Sequence, residues 1–151
     1  MSQEYRPGMI AAILTRIAGQ TRTAAGAALT ELAAATEREA KDRLGRATHR
    51  YGTRTTATKA GPPALVSGTL RRAVTHTPAT PTATGWEARV GVASGFYPPY
   101  PRTSRRTQAA DYGRYLEDGD YPWLRPAAEH VAETTGAATV IRTVTAAISR
   151  G

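Results

Sequence analysis

Few residues in this chain have the type and spacing that chemistry requires. Its three histidines, His49, His76 and His130, stand 27 or more positions apart, and none has a second ligand at metal-binding spacing. They read as surface histidines. Glu117, Asp118 and Asp120 form the one tight carboxylate cluster. It lacks the ligand pattern and terminal glutamate of an EF-hand loop, so it reads as a charged turn that contacts another subunit. Gly91-x-x-x-Gly95 has no Lys-Ser/Thr after it to make a phosphate loop, and no serine sits in a nucleophile elbow. With no cysteine in the chain, thiolate catalysis, disulfides and cysteine–zinc sites are excluded together. The expectation is a protein that is not an enzyme, holds no cofactor and no metal, and works by binding and assembly.

Charge is the stronger signal. Between Asp42 and Asp111 there is a single acid, Glu87, against eleven bases, whereas the flanking segments are balanced or slightly acidic. The net charge of +8 therefore originates in the middle. Such a field draws phosphate or an acidic protein surface. Arg54 and Lys59 lie in one loop of this region and Arg102, Arg105 and Arg106 in another, and these five residues, with Glu117, Asp118 and Asp120, are the candidate contact residues.

The elements that must position them follow from periodicity. Ile10, Ile13, Leu14 and Ile17 recur at helical spacing after Pro7-Gly8, and Ala25, Ala28, Leu29, Leu32, Thr36 and Ala40 continue the stripe towards Leu44. This predicts a long helix over about 9–44, bent or divided at Gly19 or Gly26. Residues 45–66 carry glycine, threonine, Pro62-Pro63 and four bases and read as a loop too polar to order itself. Ser67 suits the N-cap of a short helical turn through Leu70. Trp86, Ala88, Val90 and Val92 alternate with Glu87, Arg89 and Gly91, the period of a strand with one buried face, and Gly91 suggests a bulge or close backbone approach. A second Pro/Arg-rich loop covers 94–110, a short helix 111–117, and a turn 118–120. Pro126 suits the first position of a last helix, with Val131, Thr135, Ala138, Ile141, Thr145 and Ile148 on one face. The sum is a single α+β domain over 1–151, with two long helices packed on a small antiparallel sheet and two long basic loops.

Four segments together are more specific. Pro63-Ala-Leu-Val-Ser-Gly-Thr-Leu-Arg-Arg-Ala-Val74, the strand Arg89-Val-Gly-Val92, Tyr112-Gly-Arg-Tyr-Leu-Glu-Asp-Gly119 and Tyr121-Pro-Trp-Leu-Arg-Pro-Ala127 follow one another in order. This series resembles the tail-completion or head–tail joining proteins of long non-contractile-tailed bacteriophages, with Ser67 where the family has threonine and Trp123 where it has phenylalanine. The resemblance marks Ser67, Gly68, Leu70, Gly91, Tyr115, Trp123, Leu124 and Pro126 as fold determinants.

The resemblance also implies a function. The chain would be a virion protein of the neck, assembled in the host bacterial cytoplasm. It would form a homo-oligomeric ring, usually sixfold, between a head-side connector or stopper protein and the tail tube or tail terminator protein, with DNA passing through the lumen. The competing expectation is a basic nucleic-acid-binding module, though no helix-turn-helix, zinc-finger or RNA-binding aromatic motif is visible. No stretch approaches the roughly 20 apolar residues that span a bilayer, and the polar segment 1–8 lacks the apolar run of a secretory signal.

Overall fold

A computed structural model describes residues 7–99 and 107–150. Helix α1 (Pro7–Leu44) is continuous over 38 residues, about 57 Å at 1.5 Å per residue. Neither Gly19 nor Gly26 divides it. Gly26 serves another purpose: a Cβ there would lie 2.8 Å from the indole of Trp86, so the missing side chain lets the ring lie on the helix backbone. Alanines Ala24, Ala28, Ala33 and Ala40 and then Leu44 carry the buried face, as the alanine-rich periodicity requires.

The segment 45–66 has no helix or strand, but it is anchored, contrary to the expectation for so polar a stretch. Thr48 and Leu65 form an isolated parallel bridge, with His49 N–H donating to Leu65 O and Leu65 N–H to Ala47 O, both at 2.8 Å. Farther out, Ala60 N–H donates to Asp120 O at 2.7 Å. Backbone bonding does what side-chain burial could not.

Helix α2 (Thr69–Ala73) follows. Its N-cap is Gly68 with φ of +70°, a left-handed conformation that favours glycine. Ser67 is therefore not the cap, but its hydroxyl still accepts from Thr69 N–H at 3.3 Å, and the turn delivers Leu70 into the core.

The strands β1 (Val74–His76), β2 (Thr80–Pro81), β3 (Trp86–Glu87) and β4 (Val90–Val92) form one interrupted hairpin. β1 pairs antiparallel with β4 (Val74 opposite Val92) and β2 with β3 (Thr80 opposite Glu87). The break falls at Pro78, which has no N–H to give a ladder. Trp86, Ala88, Val90 and Val92 are half-buried while Glu87 and Arg89 are exposed, the alternation read from the sequence. Gly91 pairs regularly with Thr75, and a Cβ there would meet nothing within 4 Å, so it is neither a bulge nor a close approach.

Helix α3 (Ala109–Asp118) ends in the turn at Gly119-Asp120. Helix α4 (Leu124–Val131) is joined to α5 (Ala137–Ser149) by a single π-helical turn over Ala132–Gly136. Pro126 is the third residue of α4, not the first, still within the turn whose N–H groups have no helical partner. The π turn has local causes. Thr134 and Thr135 return their hydroxyls to His130 O (2.6 Å) and Val131 O (3.0 Å), and Gly136 follows. It inserts one residue and shifts every later position by one. The expected face 138, 141, 145, 148 is therefore not the buried one: Thr139 is buried, Thr143, Val144, Ala146 and Ala147 are half-buried, and Ile141 is 66% exposed.

Helices α4 and α5 both pack along α1, and the hairpin packs beside them. The core gathers Ala40, Leu44, Leu70, Ala73, Val74, Ala109, Trp123 and Ala127. The architecture is α+β, two long helical arms on a small antiparallel sheet, as expected.

Candidate functional site

The four segments singled out in the sequence meet at one point. A Cβ on Gly113 would lie 2.7 Å from Leu70 Cδ1, 3.5 Å from Trp123 Cζ2 and 3.5 Å from Val92 Cγ2. One residue from each segment thus closes on a glycine of the third. Trp123 is 1% exposed, and its Nε1–H donates to Gly113 O at 3.1 Å, which satisfies the one polar atom of the ring. Leu124 packs beside it. Tyr115 does not belong here: it is 79% exposed, because on α3 the inward positions are Tyr112, Gly113 and Leu116. Tyr112 packs on the core, and burial raises its phenol above 10.0.

The carboxylate cluster separates into three roles. Glu117 is a structural cap. Its Oε2 accepts from the N–H groups of Trp123 (2.7 Å) and Leu124 (2.8 Å), and its Oε1 from Arg125 N–H (2.8 Å). Pro126 supplies no N–H, so the start of α4 is fully satisfied, with the carboxylate at the positive end of the helix. Glu117→Ala is expected to cost about 1–2 kcal/mol, the range for losing an N-cap. Asp118→Asn is expected to change stability by less than about 0.5 kcal/mol, since among the described residues Asp118 pairs with Arg114 alone, at 3.5 Å, and both are exposed. Urea melts of the two variants separate these roles, and equal midpoints would contradict the assignment. Asp120 lies 3.4 Å from Lys59, so two of the candidate contact residues neutralise each other at the surface.

The basic middle is less bare than its sequence. Of its eight described bases, six have a partner. Arg43 and Arg46 meet Glu39, Lys59 meets Asp120 and Arg89 meets Glu87. Arg71 donates to Lys41 O, and Arg72 to Ser67 O. Arg50 and Arg54 meet no carboxylate among the described residues. Arg102, Arg105 and Arg106 lie outside the described residues.

One polar pair could not be found by spacing. His76 Nδ1 lies 2.5 Å from Glu37 Oε2 across 39 residues of sequence, and Lys41 holds the other oxygen of Glu37. His76 is thus not a free surface histidine but ties β1 to α1. Burial pushes the Glu37 carboxyl up, but the hydrogen bonds and charges of His76 and Lys41 outweigh it, and the group lies below its ordinary 4.5. A depressed carboxylate stabilises the fold above its unfolded value, and this contribution is lost as pH falls through the lower folded value. Melting temperature is therefore expected to fall below about pH 4.5, and to fall less steeply in Glu37→Gln. Parallel pH profiles would contradict this.

Among the described residues, no group of three histidine or acidic side chains could hold a metal ion, and no helix is long and apolar enough to cross a membrane. An apolar groove of about 360 Å³ runs between α1 (Leu29, Leu32, Thr36), β4 (Val90) and α4 (Leu124, Val131). Comparison with protein-family models, with curated proteins and with solved structures found no match.

Proposed function

We propose that this chain is a structural subunit of a bacteriophage neck, one copy of a ring that joins the head connector to the tail tube around the DNA channel. The observation that carries this reading is the convergence on Gly113. Four segments chosen for their likeness to head–tail joining proteins are spread over 65 positions of sequence, yet they supply Leu70, Val92, Gly113 and Trp123 to one contact. Residues from all four segments thus pack together, which supports reading them as fold determinants. The shape suits the role: a long helical arm extends from a small sheet-based body, and the polar groups at the centre are consumed in capping and packing. Its partners would be further copies of itself, a connector or stopper protein above, and a tail tube or terminator protein below.

A nucleic-acid-binding module draws less support, because most of the described bases are occupied by the protein's own carboxylates and carbonyls. A phosphate-binding surface keeps its cations free.

The test is genetic and biochemical. A phage lacking this gene is expected to accumulate filled heads and finished tails that do not join, and purified protein added to that lysate should restore joining. Normal virions from the deletion would overturn the proposal.

A further inference from the structure

The basic middle contains one ordered loop whose arginines the protein does not itself neutralise. Thr48 and Leu65 hold its ends together through their parallel bridge, and Ala60 N–H fixes its far side to Asp120 O. Between these anchors the chain is tied by short internal bonds. Thr53 N–H donates to Arg50 O at 3.1 Å across a tight turn in which Gly52 has φ of +80°. The Thr53 hydroxyl donates to the same carbonyl at 2.6 Å, and the Thr56 hydroxyl to Thr48 O at 3.1 Å. The Thr55 hydroxyl accepts from Ala57 N–H, also at 3.1 Å. None of these bonds uses a guanidinium. Residues 50–56 are all exposed, and Arg50 and Arg54 meet no carboxylate among the described residues. Lys59, by contrast, is held by Asp120.

We infer that this loop holds the sugar-phosphate backbone of duplex DNA through Arg50 and Arg54, without reading its sequence. Three observations select that partner over an acidic protein surface. From Arg46 to Lys59 stand four bases, five threonines and no acid. Cationic and hydroxyl side chains are what phosphate contacts are made from. Tyr51 is the one aromatic or long aliphatic side chain in 45–64, whereas a protein interface gathers such anchors in a dry centre. The element is a surface loop, not the helix or two-stranded ribbon that enters the major groove to read bases. The internal bonds order the loop before any partner arrives, which lowers the cost of binding. Each phosphate neutralised contributes about 0.9 to the salt slope, so two arginines contribute about 1.8. That is a loose contact, and it suits a wall past which DNA must move. The choice of duplex DNA among phosphodiester chains rests on the neck reading; the phosphate contact itself does not.

Fluorescence anisotropy of the full chain with two labelled duplexes, equal in length and different in sequence, tests this. Both duplexes are expected to bind alike. Over about 50–200 mM salt, the double variant Arg50→Gln, Arg54→Gln is expected to flatten the slope of log affinity against log salt by about 1.8. Both side chains are exposed, so this variant should melt like its parent. Arg89→Gln is the control: it removes an exposed base that Glu87 already neutralises, and its slope should match the parent's. No binding at the lowest salt, a preference for one duplex, or a parent-like slope in the double variant would each overturn the inference. So would an equal flattening in Arg89→Gln, which would show only the diffuse field of the net charge. Polyglutamate that competes as well as unlabelled duplex of equal charge would overturn it in favour of an acidic protein surface. The deletion phage tests the neck reading separately. A chain essential for joining whose double variant binds duplex like the parent keeps the neck and loses this inference. A dispensable chain whose loop passes these tests loses the neck and keeps the phosphate contact.

Discussion

Trp123→Ala is expected to lower the unfolding free energy by about 3–5 kcal/mol, the range for truncating a core aromatic. Trp123 is the largest fully buried side chain among the described residues, and its ring ties the start of α4 to α3 through the bond to Gly113 O. Its removal leaves a cavity beside Gly113 in the core cluster that also holds Leu70 and Ala127. The substitution also removes the hydrogen bond that the indole N–H donates to Gly113 O inside the core, a carbonyl that keeps its place in the α3 ladder. A stability of 5–15 kcal/mol is usual for a domain, so this single change consumes a large part of it. Trp123→Phe, which fills most of the volume but lacks the N–H, should recover more than half of the loss. Chemical denaturation measures both. Parent-like midpoints for both variants would mean that the ring is not a core anchor.

The second large effect is at the glycine where the four segments meet. Leu70→Ala is expected to cost about 2–5 kcal/mol through the cavity it opens. Gly113→Ala is expected to cost about 1–3 kcal/mol for the opposite reason, because its new methyl group would lie 2.7 Å from Leu70 Cδ1. The two faults are complementary. In the double variant the alanine methyl enters space the leucine has vacated, so the combined loss should be smaller than the sum by about 1 kcal/mol or more. Strict additivity in a double-mutant cycle would show that the two residues do not touch, and the convergence of the four segments would then be lost with them.

The features legible in the sequence were those with local causes. Alanine-rich periodicity gave α1 because helix propensity and a buried stripe agree over its whole length. The alternation from Trp86 to Val92 marks the strand face, and of the residues singled out as fold determinants Leu70 and Trp123 are buried in the core while Leu124 packs half-buried against it. What spacing could not reveal depended on contacts between distant segments. Glu117 read as an exposed acid because nothing local says that its carboxylate reaches three backbone N–H groups beyond the next turn. His76 read as a surface histidine because its partner Glu37 lies on another element. A continuous helical period does not predict the buried face of α5, because at Thr134-Thr135-Gly136 a π turn adds a residue. That one insertion exposes Ile141 and Ile148. The segment 45–66 looked unable to order itself because its stability comes from backbone bonds to its own ends and to Asp120, which composition does not register.

The central claim is that this chain works as a ring at the junction of head and tail. Reconstruction of the neck from intact virions tests it most directly. The account predicts a closed ring of this chain coaxial with the tail tube. Density for the chain on the capsid shell, as an isolated single copy, or nowhere in the particle would contradict it.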